Sequence, residues 1–471
     1  MIASKIYSVA TTLYLVSLLL SAVLVDSAKI KCTKSVSSKE FNINKEEFVV
    51  LLEHKKGSTS TASGSGNTAI LKQHLDFFEN CMGMDSKPFY GKNNGKITTK
   101  KSSSNTVLHF SGGSIFGYVG FFNPRLVKQQ IKTFPNVKIV EKVSKAKIFA
   151  AIQNNGHKTT EKTSFYDLDR IDQRNNILDG KFHYPTPAGE DVNVYVVDTG
   201  INTASPEFGD RARHGGSFCP GCADTDDNGH GSAVASVIGG IHFGVAKKVK
   251  LIAVKVFDGS GEGSFTNIIA GLSFILGEHL ANNNKKTVVN MSLGGGRFEA
   301  MNSAVKDLTD AGIHVIVAAG NSAEDACNTS PASAPSAITT CATQKSSDTI
   351  ADFSNFGPCV DICAPGVDVP VLNFGLISDQ ESGTSLSSPL VAGVVALKIS
   401  AFGNHSPERM AERLFVASTK NIIQELPAEL LKTLRPAYEP PSKDILSGCL
   451  LAQETAFVNQ AVIKGLKIPK T

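Results

Sequence analysis

The chain has 471 residues, 41% of them apolar and 19% charged, with nine cysteines and no tryptophan. This composition excludes a disordered or collagen-like chain and suffices for two or three domains around a large core. The net charge of +4 hides a split, +12 over residues 29–150 against −8 over 151–471; the lysines of the basic part are scattered rather than striped, which argues against nucleic acid and for mutual binding of the two segments.

Residues 1–28 read as a secretory signal, with Lys5, an apolar run over 10–25 and the small residues Ser27 and Ala28. The run is short for a membrane span and no second one follows, so a secreted protein without stable membrane association is expected; an uncleaved anchor is the alternative. The secretory route permits disulfides. The basic part, 29–150, reads as a strand (47–52), a helix (69–81), two strands (106–110 and 114–122), a helix (124–133) and an extended run (137–149). That order is the path of a ferredoxin-like α+β module. Strands at 192–197, 251–256, 287–291 and 314–318 then alternate with helices at 232–238, 266–280, 298–311 and 388–399. The alternation implies an α/β domain, a mostly parallel sheet with helices on both faces and its chemistry beyond the carboxyl ends of the strands. Over 422–471 the pattern is irregular, and Pro436, Pro440 and Pro441 mark an extension.

Asp198 ends the apolar run Val192-Asn193-Val194-Tyr195-Val196-Val197, where a carboxylate is costly unless a partner such as an imidazole receives it. His230 lies between glycines in Asn228-Gly229-His230-Gly231 and opens a helix. Residues 224–229 match half of a calcium-binding EF loop, but Ala235 stands where its closing acid is needed. Ser385, in Ser382-Gly383-Thr384-Ser385, precedes a helix with Pro389 in its first turn, which would supply a free N–H and a favourable dipole to a developing oxyanion. Asn321 follows Val317-Ala318-Ala319-Gly320 and could add an amide donor. Taken singly, each has a structural alternative: a turn Asp, a capping His, a capping Ser, a turn Asn. Together they make an acid, base, nucleophile and oxyanion set.

Asp198-Thr199-Gly200, Asn228-Gly229-His230-Gly231, Ser292-Leu293-Gly294-Gly295-Gly296, Ala318-Ala319-Gly320-Asn321 and Gly383-Thr384-Ser385 resemble a subtilisin-type serine protease, and the order Asp, His, Ser is that of the family. Phe243-Gly244-Val245-Ala246, Ser330-Pro331-Ala332-Ser333 and Phe353-Ser354-Asn355-Phe356-Gly357 resemble its proteinase K-like branch. The resemblance covers 151–421 as a catalytic domain and implies that 29–150 is an inhibitory, folding-assisting propeptide ending near Phe149-Ala150. It implies a secreted endopeptidase made as a zymogen, monomeric, with protein or peptide substrates, its own propeptide as inhibitor and no cofactor for catalysis. Substrate would pair with Gly259, Ser260 and Gly261 on one side and Ser292, Leu293, Gly294 and Gly295 on the other. Gly294, Gly295, Ala318, Ala319 and Gly320 would leave room for an apolar or aromatic side chain before the cut.

Four positions depart from the family pattern: Ser232 and Ala233 replace Thr-His, Leu386 replaces Met, and Leu390 replaces His. They leave a catalytically silent, peptide-binding homologue as the rival reading. Seven cysteines follow residue 150, so one is left over in a monomer. The resemblance implies a Cys327–Cys359 disulfide. Cys219-Pro220-Gly221-Cys222 has zinc-like spacing without a second ligand pair, which favours a short disulfide loop or pairing elsewhere. The resemblance also suggests a structural calcium on the carbonyls of Pro335 and Ala337 and the carboxylate of Asp361. Asn328 and Asn404 begin sequons open to glycans; Asn290 begins one on the substrate strand and is expected to stay bare.

Overall fold

The structure is a computed structural model that describes residues 30, 44–53, 65–93, 96–100, 103–149, 152–153, 165–345, 347–373, 376–419 and 423. The signal segment, the 422–471 extension apart from Ile423, and Cys449 lie outside the described residues.

The N-terminal unit follows the expected path: β1 (Glu46–Leu52), α1 (Ser65–Met82), β2 (Asp85–Pro88), a hairpin of β3 (Tyr90–Asn93) and β4 (Lys96–Thr99), β5 (Thr106–Gly112), β6 (Ile115–Phe122), α2 (Pro124–Gln129) and β7 (Val137–Lys142). Its sheet runs β2-β5-β6-β1-β7, the β-α-β-β-α-β order with β2 added at one edge. Alternation along β1 assigns its two faces. Phe48, Val50 and Leu52 join Leu71, Phe78 and Leu126 beneath the helices. Val49 and Leu51 face the other way, into an apolar cluster shared with the second unit.

The extended run 137–149 divides in two. β7 stays in the sheet, whereas β8 (Lys145–Ile148) leaves it and enters the second unit, followed by β9 (Ile152–Gln153) and α3 (Tyr166–Asp172). Next come β10 (Asn193–Asp198), β11 (Ala212–Ser217), α4 (His230–Gly239), β12 (Lys250–Lys255), β13 (Glu262–Ser264), α5 (Phe265–Ala281), β14 (Thr287–Met291), β15 (Leu293–Gly296), α6 (Glu299–Asp310), β16 (His314–Ala318), β17 (Thr329–Ser330), β18 (Ile338–Thr343), β19 (Ile362–Pro365), β20 (Val369–Asn373), β21 (Leu376–Ser382), α7 (Thr384–Phe402) and α8 (Pro407–Ala417). The central sheet has seven strands in the order β11-β12-β10-β14-β16-β18-β19, all paired in parallel. On β10, Val194 and Val196 pack with α4 and α7, while Tyr195 and Val197 pack with α5 and α6. A strand covered on both faces must be apolar throughout, which is why its run was legible.

Three strands of the central sheet escape the sequence reading. β11 carries Arg213 and His214 at a sheet edge, β18 is threonine-rich, and β19 has four residues. The helix that carries Ser385 is a correction: α7 begins at Thr384, not near 388, so Ser385 is in its first turn and Pro389 lies inside it. The Ser385 carbonyl, which Pro389 cannot serve, accepts instead from Ser292 Oγ at 2.8 Å.

The units meet chiefly through apolar surface, with the open face of the N-terminal sheet against α5 and α6. Ser273 Oγ donates to the Ile115 carbonyl (3.0 Å), and Lys138 pairs with Asp307 (2.9 Å). The Glu141 carboxylate accepts the Ala300 and Glu299 N–H groups at the start of α6 (2.9 and 3.3 Å), a negative charge at a helix's positive end. The opposite net charges therefore surface as a few ion pairs beside an apolar contact, including an exposed Lys145–Glu262 pair that contributes little.

Candidate active site

Asp198 is the last residue of β10, and His230 is the first of α4. Gly229 ahead of it adopts φ 102°, a left-handed turn that brings the ring back over the strand end. His230 Nδ1 lies 2.8 Å from Asp198 Oδ1, which also accepts the Thr199 N–H at 2.7 Å. With Asp198 ionised, Nδ1 carries the proton and Nε2 is left as a base. His230 Nε2 and Ser385 Oγ are both buried and hydrogen-bond to no described residue.

Asp226 organises the histidine loop. One of its oxygens accepts from Thr199 Oγ1 (2.9 Å), Gly229 N (2.8 Å) and Asn228 N (3.1 Å); the other accepts Ser232 N (2.9 Å) and Ser232 Oγ (2.6 Å). Burial is the largest single influence on His230 and opposes its charge. The Asp198 carboxylate, by charge and hydrogen bond, together with the charges of Glu381 and Asp226, outweighs it and holds the imidazole above its ordinary value of 6.5.

Asn321 stands three residues past β16. Its Oδ1 accepts Thr384 N (2.9 Å) and Thr384 Oγ1 (2.7 Å), which turns Nδ2 toward the start of α7. Asn355 braces this loop, accepting Ser322 N and Glu324 N (2.9 and 3.2 Å) and donating to the Ala319 carbonyl at 3.0 Å. A Cβ added at Gly383 would lie 2.8 Å from Ser385 Oγ, 3.0 Å from Asn321 Nδ2 and 3.7 Å from the Phe149 carbonyl oxygen. Three atoms of different origin thus surround one point, and only glycine leaves it open.

The chain itself runs through the cleft. β8 pairs antiparallel with β13 on one side (Lys147 opposite Glu262) and β15 on the other (Ile148 opposite Leu293). Ile148 N donates to the Gly261 carbonyl (3.1 Å) and Phe149 N to the Ser292 carbonyl (3.4 Å). A Cβ at Gly294 would enter the Phe149 ring, and one at Gly320 would stand 3.5 Å from it. Just past residue 149, Ile152 and Gln153 pair with Ser382 and Glu381 of β21. Of the expected substrate residues, Gly261, Ser292, Leu293, Gly294, Gly295 and Gly320 contact or pair with residues 145–149. Gly259 and Ser260 form the turn before β13, with the Gly259 carbonyl accepting Asn228 Nδ2 at 3.1 Å. Ala318 and Ala319 are buried beneath Gly320.

Comparison with known proteins agrees with this geometry. The subtilase family profile matches residues 189–430. The chain belongs to the subtilase family. It is 33% identical over 421 residues to the subtilisin-like serine protease Pen ch 18 of Penicillium rubens, covering 84% of this chain and 80% of that one. It is 39% identical over 298 residues to an extracellular serine proteinase of a Thermus species, covering 63% and 69%. A crystal structure of a cold adapted subtilisin-like serine proteinase aligns with TM-score 0.55 at 36% identity, over 62% of this chain and all of that one. The chain is a subtilisin-like serine endopeptidase.

This subtilase absorbs its four departures by keeping one hydroxyl and closing an apolar contact. Ser232 keeps the hydroxyl that holds Asp226 and accepts Asn202 N at 2.9 Å. Ala233, Leu386 and Leu390 are buried in one apolar cluster where α4 and α7 face each other, so the two histidine positions, 233 on α4 and 390 on α7, turn apolar together. Cys327 and Cys359 form a disulfide (Cα–Cα 5.3 Å), as do Cys219 and Cys222 (5.5 Å). Cys341–Cys363, a pair across β18 and β19 (4.4 Å), was not anticipated because parallel register is invisible in sequence. Asp226, Asn355 and Thr384 were also missed as site residues. Asn355 stood in a quoted motif without a role, and Asp226 in the rejected calcium loop.

Asn328 is exposed, whereas Asn290 is fully buried. Asn404 is exposed, but its amide donates to the Lys285 carbonyl (3.0 Å) and accepts from His314 (2.8 Å), which disfavours it as a glycan site. The Asp361 carboxylate is half-buried and accepts Thr339 N at 2.8 Å; desolvation pushes its carboxyl up to about 6. A carboxylate desolvated in this way with so little compensation suits an oxygen-coordinated cation.

Proposed function

We propose that this subtilase is secreted as a zymogen whose residues 29–149 fold onto the catalytic domain, which then begins at Ala150, one residue before the expected boundary, and block its cleft with residues 145–149. The observation that carries the reading is the seat of the Phe149 carbonyl beside Asn321 Nδ2 and Ser385 Oγ, with β8 and β9 flanking the Phe149–Ala150 bond. Ser385 Oγ attacks that carbonyl carbon while His230 Nε2 takes the hydroxyl proton, and Asp198 holds the imidazolium. Asn321 Nδ2 and the Ser385 N–H, a first-turn amide without a helical acceptor, receive the oxyanion. His230 returns the proton to the leaving amine. Water then attacks the acyl-enzyme by the same route and restores the serine. Phe149 seated against Gly294 and Gly320 supports an apolar or aromatic preference before the cut. The Asp361 carboxylate with the Pro335 and Ala337 carbonyls would hold a structural calcium, and Asn328 a glycan.

N-terminal sequencing and mass spectrometry of secreted protein should find a mature chain that begins at Ala150; a start outside residues 147–152 would overturn the cleft reading. The acid limb gives a second expectation. His230 must be neutral to take the proton, and its pKa in the folded protein is raised. Activity should therefore be full at alkaline pH and fall as pH drops through a value above 6.5, measured as kcat/KM against pH. An inflection below that value would contradict the electrostatics assigned to Asp198, Glu381 and Asp226.

A further inference from the structure

Inside a helix each N–H serves the carbonyl four residues back, and Pro389 has no N–H to offer Ser385. A buried carbonyl must find a donor elsewhere. Here the donor is Ser292, whose Oγ–H reaches it at 2.8 Å. Ser292 Oγ in turn accepts from Asn290 Nδ2 (3.0 Å), and Asn290 Oδ1 accepts Ser388 Oγ–H (2.7 Å). The polarity is consistent along the chain of bonds: each hydroxyl donates once, and the amide donates at one end and accepts at the other. All four residues are fully buried. The chain leaves α7 at Ser388, crosses the end of β14 and the residue after it, and returns to α7 one turn earlier at Ser385.

We propose that Ser292, oriented by Asn290, is a positioning residue that fixes the first turn of α7 and with it the nucleophile. The proposal rests on the reading of Ser385 as nucleophile. Ser385 Oγ hydrogen-bonds to no described residue, so its direction is set by the backbone that carries it. The Ser385 N–H, an oxyanion donor, belongs to that same turn. Ser292 also holds the other reactant, since its main-chain carbonyl accepts Phe149 N at 3.4 Å. One residue thus ties the acyl side of the substrate to the turn that attacks it, by main chain and side chain separately. The two contacts are separable by mutation, because only the side chain reaches Ser385.

The test is a cycle on the purified mature enzyme with a peptide substrate and a fluorophosphonate probe. Ser292→Ala should lower kcat and the labelling rate about tenfold to a hundredfold, the scale of a small misplacement of reacting groups, with KM nearly unchanged because the main-chain carbonyl remains. In a Pro389→Ala background the new amide can serve the Ser385 carbonyl. The same Ser292→Ala change should there cost at most a few-fold. Ser292→Cys, which keeps a weaker donor, should fall between wild type and alanine, and it carries the test if the alanine variant does not mature. Unchanged kcat and labelling in Ser292→Ala would overturn the proposal. So would an equal loss with and without Pro389, which would mark packing alone. Ser385→Ala separates the two readings: if it stays active, the nucleophile reading fails. If it is dead while Ser292→Ala behaves as wild type, only the positioning role fails.

Discussion

Ser385→Ala should leave the chain uncut at Phe149–Ala150 and lower peptide hydrolysis by about a millionfold, the scale of removing the serine from a triad of this kind. The loss should be almost wholly catalytic. Ser385 Oγ hydrogen-bonds to no described residue, so its removal orphans no described group and leaves only a small gap at the helix start. Thermal stability should change by less than about 1 kcal/mol. What remains of activity would come from the oxyanion donors Asn321 Nδ2 and Ser385 N–H, which the substitution spares. Gel mobility, intact mass and a melting curve on the secreted variant check all three parts. Cleavage of the variant at the same bond and rate as wild type, in the absence of added protease, would remove Ser385 from the mechanism.

Asp198→Asn should cost about 10⁴-fold in kcat while KM and folding stay close to wild type. The substitution keeps shape, and the amide oxygen can still accept Thr199 N–H, now at 2.7 Å from Asp198. If that bond persists, the same oxygen still accepts His230 Nδ1–H, because both groups meet Asp198 Oδ1. The tautomer is then kept, and what is lost is the negative charge that stabilises the imidazolium formed when His230 takes the Ser385 proton. The same loss acts on the pKa. Burial is the largest influence on His230 and disfavours its cation, while Asp198 is the largest influence favouring it. Without that carboxylate the imidazole pKa should drop, so the residual activity should keep its plateau to lower pH than wild type. A pH–rate profile with NMR titration of the His230 ring measures both effects. A variant of unchanged kcat, or one whose acid limb moves upward, would contradict the assigned role.

The acid, base, nucleophile and amide were legible because each sits in a short string that local structure aims. Asp198 ends an apolar strand, His230 is flanked by glycines at a helix start, and Ser385 opens the helix that follows Gly383. The central strands were legible for a related reason: covered on both faces, they must be apolar without break. β11, β18 and β19 were not, since an edge strand tolerates Arg213 and His214, and threonine or a four-residue length carries no clear period. The start of α7 was misplaced because Pro389 normally marks a first turn. Its tolerance inside the helix depends on Ser292, 97 positions earlier in the chain.

The sequence by itself determined which residue types the proposed chemistry can draw on, because acid, base, nucleophile and amide are properties of residue types in local settings. Through the family resemblance it also placed the expected cut near Phe149-Ala150. Only the tertiary structure decided how those groups are held and what they face. Asp226 gathers the loop before His230, Asn355 and Thr384 orient Asn321, and β8 lays the Phe149 carbonyl beside Ser385 Oγ. Apart from those within the Asp226 loop, these contacts join residues tens to hundreds of positions apart. Hydrogen bonds and packing depend on distance in space, and a linear pattern records distance only along the chain.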